Sequence, residues 1–159
     1  MRYEKADNLL QLALEMQAAT RAALPADIAV LSAAVADWRV DTVAGGKIKK
    51  GPGGPPTLAL IENPDILAGI AAPGPDRPAL VIGFAAETSD LEANARAKLS
   101  RKGCDWIVAN DVSDEVFGAD GNAVLLISAE GTEPWPRQSK IAVARTLAAR
   151  IADHFKDPA

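Results

Sequence analysis

The chain has 159 residues, 48% of them hydrophobic and 24% charged, a balance that fits one folded domain over residues 1–159 and excludes a disordered charged tail. Its net charge of -4 argues against broad nucleic-acid binding, and no apolar run is long enough to span a bilayer. A lone cysteine, Cys104, excludes an internal disulfide, and the start Met1-Arg2-Tyr3-Glu4 carries no secretory pattern, so a cytoplasmic location is expected.

Strong helix formers from Ala6 to Leu24 carry Leu9, Leu10, Leu12, Leu14 and Met16, which predicts an amphipathic helix stopped by Pro25. Ile28 to Leu31 is a short apolar run, the pattern of a buried parallel strand. It empties into Ser32-Ala33-Ala34-Val35-Ala36-Asp37-Trp38-Arg39, whose small residues would let a ligand approach the backbone. Gly45-Gly46, then Lys47-Ile48-Lys49-Lys50, then Gly51-Pro52-Gly53-Gly54-Pro55-Pro56 read as a mobile basic loop. Thr57 to Glu62 reads as a strand.

Asn63-Pro64-Asp65-Ile66 predicts a helix start, with Asn63 as N-cap and Pro64 in the first helical position. That helix should stop near Ala72, and Ala79 to Ala86 should form a buried strand. Ser89-Asp90-Leu91-Glu92 has capping-box spacing and opens a helix that Gly103 closes. Cys104 then reads as a small buried hydrophobe ahead of a strand over Trp106 to Ala109, which Asn110-Asp111 follow. Asn122 to Ser128 and Gly131 to Arg137 predict a hairpin, and Ser139 caps a last helix reaching about Phe155.

Helices alternating with aliphatic strands predict an α/β, Rossmann-like fold with a largely parallel sheet flanked by helices. Ligands in such sheets bind beyond the carboxyl ends of the strands. Here those ends are Ser32-Ala33, Gly83-Phe84 and Asn110-Asp111, which should converge on one crevice. There is no G-x-G-x-x-G turn and no P-loop, and the chain opens on a helix. An amino-terminal strand and glycine turn are therefore expected to be missing.

The lysine loop suits a triphosphate or another phosphorylated ligand, although a charge run is also an ordinary solvated surface. Asp37 is placed either to accept from a ligand hydroxyl or to shape a turn. Phe84 reads as a pocket wall or as core. The helix start at Pro64 is an anion-site candidate of low specificity. Lys98 and Lys102 share one helix face, for phosphate or for solvent. His154 has no cysteine or carboxylate cluster for a metal site and reads as a surface histidine.

Five blocks occur in one order: Ala33-Ala34-Val35-Ala36-Asp37-Trp38-Arg39, Lys47-Ile48-Lys49-Lys50, Asn63-Pro64-Asp65-Ile66, Gly83-Phe84-Ala85-Ala86-Glu87-Thr88 and Ala109-Asn110-Asp111-Val112. This ordered set resembles the phosphopantothenate–cysteine ligases. The resemblance implies coenzyme A synthesis: 4′-phosphopantothenate is joined to cysteine at the expense of CTP, with Mg²⁺, through an acyl-cytidylate. It implies that Lys47 is the catalytic lid lysine. It implies a nucleotide site of Leu31, Ser32, Ala33, Asp37, Lys47, Pro64, Asp65, Ile66, Leu67, Phe84, Lys98, Lys102 and Asn110. Ala33, Ala34 and Asp37 would lie near the pantothenate, and no protein metal ligand is assigned.

The family is dimeric, so a homodimer is implied. In bacteria the ligase usually follows a flavin-dependent decarboxylase domain, which this sequence lacks, so FMN is not expected. The family's glycine-rich amino-terminal turn and its asparagine have no counterpart, which marks the chain as a carboxyl-terminal portion. The alternatives are a non-catalytic dimeric nucleotide-binding module that needs a partner chain, and an unrelated α/β structural protein.

Overall fold

A computed structural model describes residues 4–32, 35–42, 57–111 and 121–156. Ala33, Ala34, the lysine loop with Lys47, and Val112 lie outside the described residues. In chain order the elements are α1 (Glu4–Ala22), β1 (Ile28–Leu31), β2 (Trp38–Val40), β3 (Leu60–Glu62), α2 (Ile66–Ala71), β4 (Leu80–Glu87), α3 (Leu91–Lys102), β5 (Trp106–Asp111), β6 (Gly121–Ile127), β7 (Thr132–Ser139) and α4 (Lys140–Lys156).

The main sheet has the order β1-β4-β5-β6-β7. β1, β4 and β5 run parallel, with Ile28 opposite Leu80 and Ile82 opposite Trp106. The hairpin β6–β7 then continues the sheet antiparallel to β5. This is the α/β, Rossmann-like architecture that the sequence predicts, closed on one side by a hairpin. β2 and β3 form a separate two-stranded antiparallel ribbon.

Strand alternation splits the core in two. Val81 and Ala85 of β4, with Ile107 and Ala109 of β5, face Ile66 and Ile70 of α2 and Ala95 of α3. Leu80, Ile82, Trp106 and Val108 face the other way, onto Val143 and Leu147 of α4. Cys104 is buried as expected, and burial pushes its thiol pKa up. Arg77 donates to both Asp105 carboxylate oxygens at 2.9 and 3.0 Å, and Asp105 also accepts from the Val81 amide at 2.7 Å.

Several expectations need correction. β1 is an edge strand with alternating half-exposed residues, not a buried one, because nothing among the described residues pairs on its outer side. β2 was not foreseen: three residues after a turn are too few for a readable period. β3 is shorter than the Thr57 to Glu62 run.

α2 begins at Ile66, and its N-cap is Asp65, which accepts from the Ala68 amide at 3.0 Å. Asn63 therefore does not cap it. Ser89 and Glu92 form no capping box either. The N-cap of α3 is Asp90, in the left-handed region at φ 48°, with no side-chain cap bond. Glu92 instead accepts from Arg96 at 3.0 Å and from Thr132 at 2.6 Å. The remaining caps are as expected: Gly103 is left-handed at φ 67° and its N–H donates to Leu99 O, while Ser139 Oγ accepts from the Ala142 amide at 3.2 Å.

Candidate functional site

A cleft of about 700 Å³ opens along β1 and beside Phe84, in the middle of β4 rather than beyond its carboxyl end. A ligand of nucleotide size fits such a volume. One part of its lining is largely apolar: Met16 and Thr20 from α1, Leu24 just after it, and Ile28 to Leu31 from β1. The turn into β2 adds Ser32, Val35, Ala36, Asp37 and Trp38. The segment from Glu62 to Leu67 also lines it, as does Phe84 from the middle of β4.

α3 supplies the positive charge. Lys98, Arg101 and Lys102 are spaced so that one helix face carries all three, and all three line the cleft. Lys98 Nζ donates to Phe84 O at 2.8 Å. Lys102 Nζ donates to Asp65 Oδ2. Partial burial works against the Asp65 carboxylate, but the Lys102 bond and charge, the Ala68 amide and the Arg101 charge outweigh it and hold its pKa below the usual range. Asp65 is thus kept ionised beside two cations.

α2 is held close to the sheet by Gly83. A Cβ there would sit 2.6 Å from Leu67 Cδ2 and 2.9 Å from Ile107 Cδ1. Only glycine lets Leu67, which lines the cleft, approach so closely.

The expected site residues separate as follows. Leu31, Ser32, Asp37, Pro64, Asp65, Ile66, Leu67, Phe84, Lys98 and Lys102 all line the cleft. Ala33, Ala34 and Lys47 lie outside the described residues. Asn110 is on β5 opposite Ala86 and is not part of the lining. The Pro64 helix start is not a free anion site, because a six-residue helix already holds the Asp65 carboxylate at its amino end. His154 packs edge-on against Trp106, with ring centroids 5.2 Å apart, away from the cleft.

The expected site omitted a number of lining residues, Arg101 and Trp38 among them. Arg101 had a signal, since it follows Lys98 by three positions on one helix face. Trp38 follows the turn after β1 but was not singled out, because β2 was not foreseen. Among the described residues no three of His, Cys, Asp and Glu gather to hold a metal. No helix among them is long and apolar enough to cross a membrane.

Residues 8–155 match the family described as the DNA/pantothenate metabolism flavoprotein C-terminal domain. The chain belongs to that family. Relatives called Coenzyme A biosynthesis bifunctional protein CoaBC include one from Mycobacterium tuberculosis, 48% identical over 126 residues, covering 73% of this chain and 30% of the relative. Another, from Escherichia coli, is 42% identical over 150 residues, covering 91% of this chain and 37% of the relative. The chain therefore spans about a third of the length of these relatives.

A solved structure, the C-terminal domain of a Coenzyme A biosynthesis bifunctional protein CoaBC, aligns with TM-score 0.63 and 28% identity, covering 96% of this chain and 64% of that one. A Streptococcus pneumoniae DNA/pantothenate metabolism flavoprotein aligns with TM-score 0.64 at 20% identity, covering 90% of this chain and 69% of that one, and supports the fold alone. The family's fold is thus the fold observed here.

Proposed function

We propose that this chain carries the ligase step of coenzyme A synthesis, joining 4′-phosphopantothenate to cysteine with CTP. The family and the names of its relatives support the pathway. The observation that carries the reading is the cleft itself, whose lining includes Lys98, Arg101 and Lys102 as well as the Asp37 turn.

The reaction takes two steps. The 4′-phosphopantothenate carboxylate attacks the α-phosphorus of CTP, and the bond to pyrophosphate breaks, leaving an acyl-cytidylate. The cysteine amine then attacks the acyl carbon, loses a proton and expels CMP. An anion meeting a triphosphate needs fixed positive charge. The α3 cations supply it, and by the resemblance Lys47 adds to it. Mg²⁺ would enter with the nucleotide and offset phosphate charge.

A homodimer goes with this reading. Trp38 and Leu60 are each 54% exposed, and the ribbon register puts them on one face with Val40. That apolar face suits a second copy, and sedimentation would show a dimer that Trp38→Ser with Leu60→Ser weakens. A decarboxylase domain in the full-length protein and a cytoplasmic location also go with it.

The test is turnover with 4′-phosphopantothenate, cysteine and Mg–CTP, followed by release of CMP and pyrophosphate. Lys47→Gln should lower kcat by about 100-fold while stability stays within about 0.5 kcal/mol. A second reading, a nucleotide-binding module without turnover, is favoured by the half-exposed β1 edge beside the cleft. Binding of CTP with no CMP formed would decide for it.

A further inference from the structure

Asn63 is the one buried polar side chain among the described residues, 9% exposed. A buried amide is costly unless both of its ends are bonded. Here both are. Nδ2 donates to Ala36 O at 2.7 Å, and Oδ1 accepts from Arg39 Nη1 at 3.2 Å. The Asn63 backbone N–H also donates to Asp37 O at 2.8 Å. Ala36 O can only accept and the Arg39 guanidinium can only donate, so the orientation of the amide is fixed. Arg39 donates to Glu62 O as well, which ties the same two segments again.

These bonds join two adjacent segments of the cleft lining. Ala36, Asp37 and Trp38 belong to the first wall segment, and Pro64 to Leu67 to the second. Asn63 leads directly into the second wall and is bonded to the first. We infer that Asn63 is a positioning residue, which holds the Asp37 turn at a fixed spacing from the Pro64–Leu67 wall before a nucleotide arrives. This rests on the reading of the cleft as a nucleotide site. The wall spacing is then set in advance, and binding does not have to order it.

The variant that isolates the brace is Asn63→Asp. It keeps the shape and the acceptor toward Arg39 but turns an oxygen on Ala36 O, so the donor is lost. Two readouts are needed in the same chain: calorimetric titration with Mg–CTP, and backbone amide exchange. Asp105→Ala serves as the control, because it removes the Arg77 and Val81 bonds away from the cleft and loosens the fold without touching the brace.

Asn63→Asp should weaken Mg–CTP binding on the order of ten-fold. Exchange should rise at residues 36–39 and 64–68 while β4 and β5 stay protected. An unchanged Kd, or a uniform rise in exchange like that of Asp105→Ala, overturns the brace. If the wild type takes up no nucleotide but the variant still loosens both walls alone, the nucleotide reading fails and the brace stands. If neither effect is seen, both fall.

Discussion

β1 and β4 are neighbours in one parallel pair, yet their surroundings differ. Leu80, Val81 and Ile82 of β4 are fully buried, whereas Val30 of β1, the register partner of Ile82, is 46% exposed. β4 lies between two strands and between two helical layers, so both of its faces reach a core. Among the described residues β1 has one strand neighbour, and it lends its residues to the cleft wall. Stability is concentrated in β4, β5 and β6, and binding surface is built where burial is incomplete. This division is common, because a site needs exposed groups that a core would cover.

The largest expected effect attacks the buried side. Ile107→Ala should cost about 2–5 kcal/mol in urea unfolding, because Ile107 is fully buried between two layers. Val30→Ala should cost well under that, and equal losses would erase the contrast between the strands. Next comes Gly83→Ala, whose added Cβ would crowd Leu67 and Ile107. Overpacking of this kind costs about 1–3 kcal/mol. Because Leu67 lines the cleft, ligand affinity should fall together with stability, and Gly83 is a position where a core change reaches the cleft through its neighbour. Asp105→Ala should cost about 2 kcal/mol by leaving the Val81 amide without this acceptor and removing the Arg77 ion pair, with ligand affinity unchanged.

Most elements of the buried side were legible in the sequence. The runs at Leu80 and Trp106 are apolar and long enough to read, and Gly103 and Ser139 mark helix ends through chemistry local to them. The cleft side was legible in its residue types and less so in its geometry. Asn63 reads as a helix cap because asparagine before Pro64-Asp65 is a cap pattern. Its real bonds run to Ala36 and Arg39, more than twenty positions away, and no local pattern encodes them. Ser89 and Glu92 show the reverse case: the spacing of a box is present, but Thr132 and Arg96 take the Glu92 carboxylate.

The smallest expected effect concerns Asp65. Its pKa is lowered in the folded chain, so its stabilising effect is present above the unfolded value and is lost as pH falls through the folded one. The window lies below about pH 4. Asp65→Asn, which keeps a cap acceptor for the Ala68 amide, should lower Tm slightly at pH 7, and the loss should shrink as pH falls through the window; a loss that stays constant into acid would show that charge is not its cause.

The most direct measurement is calorimetric titration of this chain with Mg–CTP, beside Mg–ATP and beside a variant carrying Lys98→Gln and Lys102→Gln. The account predicts one saturable CTP site per chain, tighter than ATP and weakened at least about ten-fold in the variant. Heats no larger than dilution, or equal binding by the wild type and the variant, would contradict it.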